Sequence, residues 1–258
     1  RENLVLFSLK RLIGIRFDKN LEQQVGGHYP YTVVAGPRKE PFIKVGNERF
    51  AVPELCGMIL KYLKDMAENT MQLNLDRAVI TVPAHFTDTQ RQMTRLAAEL
   101  AGLKTLRIIN EPTAAALGYG FGRGERQRLA IYDLGGGTFD MTILDLDGNI
   151  IEVLATGGDG FLGGDDFDRA LLGLIYERLN LTVSPAEITR AHLLLARKAK
   201  HQLTSDPHAL IPRLTFDGVD DHLRIMRSDT LSIWLPLVER TFKVCKQALK
   251  DAGIKQGQ

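Results

Sequence analysis

A run of three glycines, Gly135 to Gly137, lies between an aspartate and the sequence Thr-Phe-Asp. Asp133 ends an apolar run, where a carboxylate is costly unless it is paired or binds a ligand. Thr138 offers a hydroxyl at the loop exit, and Asp140, two residues further on, should share its face of a strand. Mg²⁺ usually binds through one or two carboxylates with phosphate oxygens and water, and backbone N–H groups can hold phosphate. The segment is therefore suited to a magnesium–phosphate complex. A ligand-free hairpin turn is the alternative.

A second glycine pair, Gly163 and Gly164, leads directly into an acidic helix start at Asp165 and Asp166. The first N–H groups of a helix have no partner inside the helix, and the helix dipole favours anions there. The pair predicts a second anion contact through free N–H groups. An ordinary loop, followed by charges that stabilise the helix, is the alternative.

Composition and charge exclude several classes of function. The chain has 258 residues and a net charge of +2, from 33 basic and 31 acidic residues. This balance gives no electrostatic basis for binding nucleic acid or an anionic membrane surface. No apolar run approaches the roughly 18 residues of a membrane span, and no signal peptide is visible. Cys56 and Cys245 are far apart and lack metal-ligand spacing, so the sequence predicts a cytoplasmic protein with reduced thiols, each on a helix.

The order of predicted elements indicates layered α/β units with mixed sheets. The first half contains a helix from Pro53, a strand at 78–83, a helix at 87–100, a strand at 105–109 and a small-sided helix at 111–122. Three strands follow, the last two joined by a hairpin, and then a helix at about 165–179. The rest should hold a helix opened by a capping box at 184–187, a hairpin around Asp217-Gly218, a short helix at 229–234 and a longer helix after Pro236. A Gly- and Arg-rich break at 120–128 indicates a boundary between lobes.

Five segments together resemble the ATPase domain of DnaK-type heat-shock chaperones, within the actin-like ATPase superfamily. They are "KRLIG", "AVITVPAHFTDTQRQ", "IINEPTAAALGYG", "YDLGGGTFDMTIL" and "EVLATGGDGFLGGDDFD". The resemblance is collinear over nearly the whole chain. It implies an actin-like (ribonuclease H-like) α/β fold with two lobes of mixed sheets flanked by helices, each lobe carrying a peripheral α+β subdomain. Within the family, the sequence is most similar to the HscA branch, which serves iron–sulfur cluster assembly.

The resemblance also divides the chain into four parts. Residues 1–52 would form the peripheral subdomain of lobe I, and 53–122 part of its central subdomain. Residues 123–162 with 235–258 would form part of the central subdomain of lobe II, and 163–234 its peripheral subdomain. The family's first phosphate-binding hairpin and its Gly-rich adenosine motif have no counterpart in these residues. We therefore expect a fragment that lacks both ends of the domain.

Catalytic and metal-binding roles follow from the resemblance, position by position. Lys10 matches the lysine that reaches the γ-phosphate and orients the attacking water. Glu111 matches the glutamate beside the metal and the nucleophilic water. Asp133 should bind magnesium through water. Thr138 and Asp140 match positions near the attacking water and monovalent ions, which makes Asp140 a second metal ligand and potassium a further candidate ion.

Nucleotide and partner contacts follow in the same way. Those expected near ATP or ADP are Gly135, Gly136, Gly137, Gly163, Gly164, Lys200, His201 and Thr204. Those expected on the face that receives the interdomain linker and a J-domain co-chaperone are Pro83, Arg91, Arg107, Asn110 and Thr113. The resemblance further implies an unfolded or iron–sulfur scaffold client, bound through another domain, and a nucleotide exchange factor as a candidate partner.

Four positions depart from the family pattern. Arg197 stands where many members have a glutamate that contacts the ribose, and His201 replaces an arginine near the adenine. Thr204 replaces a serine, and His85 replaces the usual tyrosine after "VPA". These changes predict a looser adenine end of the site.

The resulting function is binding and hydrolysis of ATP by a chaperone that couples nucleotide state to capture of unfolded segments. The alternative is a truncated or degenerate module that keeps the fold and the co-chaperone face without hydrolysis. A sugar kinase of the same superfamily is disfavoured, because "NEPTAAA" and "GGGTFD" are typical of chaperones.

Overall fold

A computed structural model describes residues 6–25, 29, 31–120, 126–148, 150–184 and 187–254. Its helices are α1 (Lys19–Val25), α2 (Val52–Met71), α3 (Asp88–Leu100), α4 (Glu111–Gly120), α5 (Gly164–Arg178), α6 (Arg190–Ser205), α7 (Leu214–Asp217) and α8 (Leu231–Asp251). Its strands are β1 (Thr32–Ala35), β2 (Pro41–Val45), β3 (Glu48–Ala51), β4 (Arg77–Val82), β5 (Lys104–Asn110), β6 (Gln127–Leu134), β7 (Phe139–Asp147), β8 (Ile150–Asp159), β9 (His208–Pro212) and β10 (His222–Met226). Two 3₁₀ turns lie at Leu9–Arg11 and Arg227–Thr230.

The first half packs around one apolar core. β1, β2 and β3 form an antiparallel sheet. β4 pairs in parallel with β5, and α3 connects these two strands along the chain. Thr87 caps α3 by accepting from the Gln90 N–H, and Gln90 returns a bond to the Thr87 N–H. The core runs from Leu12, directly after the first 3₁₀ turn, through Ile43 and Val52 to Phe86. The start of the chain and the loop after β4 are therefore fixed on the same body.

The second half is built on an antiparallel sheet in the order β6-β7-β8. The inner strand β7 alternates between two cores, as period-2 geometry requires. Phe139 and Ile143 pack with α8, whereas Leu144 and Leu146 pack with Ala116 of α4. Since α4 belongs to the first half, this contact joins the two halves of the chain.

A third body contains α5, α6 and the β9–β10 hairpin. Its core is formed by buried residues such as Leu171, Ile175, Leu203 and Ile225. α5 begins directly after the second glycine pair, so this body carries the acidic helix start next to the β6–β8 sheet.

Three sequence-based expectations about the last third are wrong in detail. The helix expected from 184–187 begins at Arg190 with Thr189 as its cap, although Ser184 and Glu187 still form a local capping bond of 2.7 Å. β9 and β10 do pair as a hairpin, but a helical turn that ends at Gly218 separates them. Pro236 lies inside α8 and does not open a helix. The 3₁₀ turn at Arg227–Thr230 comes directly before α8.

The predicted lobe break at 120–128 lies mostly outside the described residues. Within the part of the chain that the structure describes, none of the helices combines the length and apolar character needed to cross a bilayer.

Candidate functional site

The two aspartates that flank the glycine run are direct cross-strand partners. Asp133 near the end of β6 pairs with Asp140 near the start of β7, so their side chains share one face of the sheet. Asp133 is exposed, and its side chain forms no hydrogen bond or ion pair with any described residue. Asp140 is only 2% exposed. Two carboxylates opposite each other repel unless a positive group or donor compensates, so this corner of the sheet favours a cation.

The glycine run forms a closed loop that is open to solvent on one side. The Gly135 N–H donates to the Thr138 carbonyl at 2.9 Å, and Thr138 is buried at the exit. A Cβ added at Gly136 would have no atom within 4 Å. None of the three glycines has a positive φ. The absence of side chains here leaves space and does not relieve strain.

The second glycine pair packs on the first loop. The Gly164 N–H donates to the Gly135 carbonyl at 2.9 Å, and the Asp165 N–H donates to the Gly136 carbonyl at 2.8 Å. A Cβ on Gly163 would lie 2.6 Å from the Gly136 carbonyl carbon, so no larger residue fits without a backbone shift. The Gly163 N–H is bonded to the Asp166 carboxylate at 2.8 Å. The expectation that this helix start presents free N–H groups is therefore not met, because the first loop and Asp166 already use them.

Arg11, which the sequence analysis did not single out, ties both loops to the start of the chain. Its guanidinium donates to the Gly137 carbonyl and to the Asp166 carboxylate, each at 2.5 Å, and lies over the Phe161 ring at 5.7 Å. Burial alone would lower the pKa of Arg11, but the hydrogen bond and charge of Asp166 outweigh it and raise the pKa. The adjacent Ser8 hydroxyl donates to Asp165. A buried, permanently charged arginine thus holds the loop pair in register.

Lys10 and Glu111 form the next contact of the site. The Lys10 ammonium lies 2.7 Å from Glu111 Oε1, with side chains 45% and 21% exposed. Glu111 is the first residue of α4, where a negative charge is stabilised by the helix dipole. The structure therefore brings these two sequence-predicted residues together, although 101 positions separate them.

His85 contacts Asp140 from the loop between β4 and α3. Its Nδ1 lies 2.6 Å from Asp140 Oδ1. The other oxygen, Oδ2, is buried and has no hydrogen-bond partner within the described part of the chain, and the same holds for the hydroxyl of Thr142, two residues along β7. An unpartnered buried carboxylate oxygen is costly. This orphan oxygen fits a water molecule or a cation.

The residues expected at the adenine end lie on α6. Arg197 binds Asp165 at 2.7 Å and Asp168 at 3.0 Å, while Lys200 binds Asp168 at 2.7 Å and the Gly164 carbonyl at 2.9 Å. His201 and Thr204 are exposed on the same helix. Arg197 and Lys200 therefore connect α6 to the acidic start of α5, beside the glycine loops.

The residues expected on the partner-binding face lie around the ends of β4 and β5. Pro83 is buried and Arg107 is exposed. The Arg91 guanidinium donates to Asn110 Oδ1 at 2.8 Å. Thr113 lies in the first turn of α4 and is half-buried. Arg91 and Asn110 are thus occupied with each other, and Arg107 is the residue of this set that is directly accessible.

The donor set fits a magnesium–nucleotide complex better than a bare metal ion. Among the described residues, no group of three or more His, Cys, Asp or Glu side chains could hold a metal by itself. Magnesium commonly binds through one or two carboxylates and completes its shell with phosphate and water. Asp133 and Asp140 offer the two carboxylates, and the open space beside Gly136 leaves room for the phosphate.

A family model described as Hsp70 protein matches residues 2–258 of the chain. The match agrees with the mixed α/β architecture and confirms the expected actin-like ATPase fold. It also supports a chaperone nucleotide-binding domain, which was the function expected from the sequence. Because the match spans almost every residue, the chain belongs to the Hsp70 family.

Proposed function

We propose that this chain binds ATP with Mg²⁺ and contributes the residues that hydrolyse it to ADP and phosphate. Membership of the Hsp70 family implies ATPase activity for the whole protein. The observation that carries the proposal for these residues is the aspartate pair. Asp133 is exposed and unpaired with any described residue, and Asp140 is buried with one oxygen unpartnered, on the face that borders an open glycine loop.

Each side chain of the site has a role in phosphoryl transfer. Lys10 would stabilise the negative charge that develops on the transferred group, and Glu111 holds the Lys10 ammonium at 2.7 Å. Asp133 and Asp140 would hold the metal, with Thr138 at the loop exit. Magnesium, when bound, neutralises charge on the phosphate oxygens.

The glycine residues would contribute shape and a limited number of donors. Gly135, Gly136 and Gly137 would face the γ- and β-phosphates, and Gly136 has open space beside it. The N–H groups of Gly163 and Gly164 are bonded within the protein. Their contribution to the β-phosphate side would therefore be a surface without side chains.

The adenine end would be formed by Lys200, His201 and Thr204 on α6. Arg197 has only donors and is already bonded to Asp165 and Asp168, so it cannot accept from ribose hydroxyls as a glutamate can. We infer faster ADP release than in a relative with a glutamate and an arginine at positions 197 and 201.

We further propose a location, an additional ion and partners for the protein, all on the same resemblance. The protein would be cytoplasmic, would use potassium as a further ion, and would belong to the HscA branch with an iron–sulfur scaffold client. It would work with a J-domain co-chaperone that docks near Pro83, Arg107 and Thr113, and with a nucleotide exchange factor as a further candidate partner. The division into 1–52, 53–122, 123–162 with 235–258, and 163–234 is proposed on the same resemblance.

Substitution of Asp133 by asparagine tests the proposal. Asparagine is isosteric but lacks the charge that the metal requires, so magnesium-dependent turnover of the full-length protein should fall at least ~100-fold. Stability should change by less than about 0.5 kcal/mol, because Asp133 is exposed and unpaired with described residues.

Asp147→Asn is the matched control, since Asp147 is an exposed aspartate at the far end of β7. Phosphate release at saturating ATP and magnesium, with urea unfolding of each variant, separates the two effects. Turnover by Asp133→Asn that equals turnover by the control would contradict the assignment.

A further inference from the structure

The loop between β4 and α3 is held rigidly around residue 85. Arg91 donates to the Ala84 carbonyl at 3.2 Å and to the Phe86 carbonyl at 3.1 Å. The same guanidinium donates to Asn110 at the end of β5 at 2.8 Å. Phe86 is buried in the core of the first half. The backbone on both sides of His85 is thus fixed by one arginine and one buried ring.

This rigid loop directs the imidazole of His85 onto Asp140. The ring packs edge-on against Phe86, with centroids 5.8 Å apart, and its Nδ1 lies 2.6 Å from Asp140 Oδ1. An ionised carboxylate only accepts hydrogen bonds, so Nδ1 must carry the hydrogen in this contact. The His85 side chain is 28% exposed, whereas that of Asp140 is 3% exposed.

The neighbouring strand leaves room for the ring. Gly158 on β8 is the cross-strand partner of Asp140. A Cβ at this glycine would lie 2.6 Å from His85 Nδ1 and 3.0 Å from Cε1. A side chain here would displace the imidazole from the carboxylate. Two independent features therefore support a specific His85–Asp140 pair: the short contact between the two side chains, and the missing side chain at Gly158 that makes room for the ring.

We propose that His85 is a positioning residue, which orients the Asp140 carboxylate by holding Oδ1 so that Oδ2 is left to a cation or water in the site. The proposal rests on the proposed function in assigning Asp140 to the metal and water side. His85 donates the hydrogen bond that Asp140 receives from the described residues. Without it, a buried carboxylate would lose a charged hydrogen bond and the orientation that this bond imposes.

Removal of the imidazole should therefore lower kcat and leave the KM for ATP almost unchanged. A charged hydrogen bond lost from the site corresponds to about a 10- to 100-fold fall in rate. His85 does not itself belong to the proposed nucleotide contacts, so the KM should change less than about twofold.

The experiment compares His85→Ala, His85→Asn and the control His222→Ala in the full-length protein. Asparagine can place an N–H donor near the position of Nδ1, so it should restore most of the rate that alanine loses. His222 is an exposed histidine on β10, and its loss should leave kcat unchanged. Dissociation constants for Mn²⁺ with ADP present, measured by electron paramagnetic resonance, should rise for His85→Ala and recover for His85→Asn.

A second measurement is independent of ATP. In ¹⁵N NMR spectra of the nucleotide-free protein, a slowly exchanging Nδ1–H signal from His85 should be present, and Asp140→Asn should shift or remove it. If the wild type shows this signal but no ATP hydrolysis, the proposed function fails while the pairing stands.

Three results would overturn the inference: no protected Nδ1–H signal, a kcat for His85→Ala within twofold of wild type, or equal kcat losses for the alanine and asparagine variants. If His85 had a purely structural role, both His85→Ala and His85→Asn would unfold at a lower temperature. In that case kcat would not fall selectively while the KM for ATP stayed constant.

Discussion

Replacement of Arg11 by methionine should loosen both glycine loops. Methionine keeps much of the apolar stem of arginine, so the change removes the guanidinium with little loss of packing. The lost contacts are those to the Gly137 carbonyl and to the Asp166 carboxylate, each at 2.5 Å. Both loops then lose the charged group that connects them to the 3₁₀ turn at the start of the chain.

The expected cost follows from burial. The Arg11 and Asp166 side chains are 5% and 16% exposed, so solvent screens this pair little. Removing one partner of a buried ion pair costs about 3–5 kcal/mol. Asp166 keeps the hydrogen bond from the Gly163 N–H at 2.8 Å, which favours the lower end, about 3 kcal/mol. Since Asp166 holds the pKa of Arg11 above its ordinary value, the guanidinium stays charged, and this cost should not vary between about pH 6 and pH 9.

Two measurements check this prediction. Urea unfolding, followed by circular dichroism, should show the loss of about 3 kcal/mol in Arg11→Met and almost none in Arg38→Met, an exposed control. Hydrogen exchange should accelerate at the Gly164 and Asp165 N–H groups, which bond to the first loop. An Arg11→Met variant within about 1 kcal/mol of the control, with unchanged exchange at these amides, would refute the reasoning.

Three further predictions concern single positions. Gly163→Ala should destabilise the protein by about 1–3 kcal/mol through backbone overlap, whereas Gly136→Ala should cost less than about 0.5 kcal/mol; equal unfolding free energies would contradict the packing of the two loops. Burial raises the pKa of Cys56 from 9.0 to about 11, so at pH 8 its thiolate fraction, and its alkylation rate in the native protein, should be about 100-fold below that of an ordinary thiol. Alkylation at equal rates in native protein and in urea would argue against this burial. His201→Arg, which adds a permanent charge and a larger planar surface, should slow stopped-flow release of labelled ADP about tenfold; an unchanged rate would remove His201 from the adenine end.

Local signals in the sequence predicted most elements well. Pro53 at a helix start, the Thr87 cap and the alternation along β7 each act within a few residues, so their outcome does not depend on the rest of the fold. One failure occurred where two local signals competed. The Ser184–Glu187 box formed its hydrogen bond, but the continuous helix began after it at the Thr189 cap.

The site itself depended on contacts that no local pattern reveals. Asp133, Thr138 and Asp140 could be identified because their spacing is local. The occupied N–H group of Gly164 could not, because its acceptor lies in another loop. Arg11 gave no signal for the same reason: its partners are 126 and 155 positions away.

These long-range contacts connect the integrity of the site to the way the halves of the chain meet. Arg11 reaches Gly137 from the first 3₁₀ turn, and His85 reaches the β6–β8 sheet from the loop after β4. In both of these cross-half contacts the donor, Arg11 or His85, lies in the first half, and the acceptor, Gly137 or Asp140, lies in the second. A relative movement of the halves would change charge compensation at the aspartate pair and the loop geometry together. Because Arg11 holds the glycine loops and His85 contacts Asp140 across the two halves, the geometry of the site depends on how the halves meet.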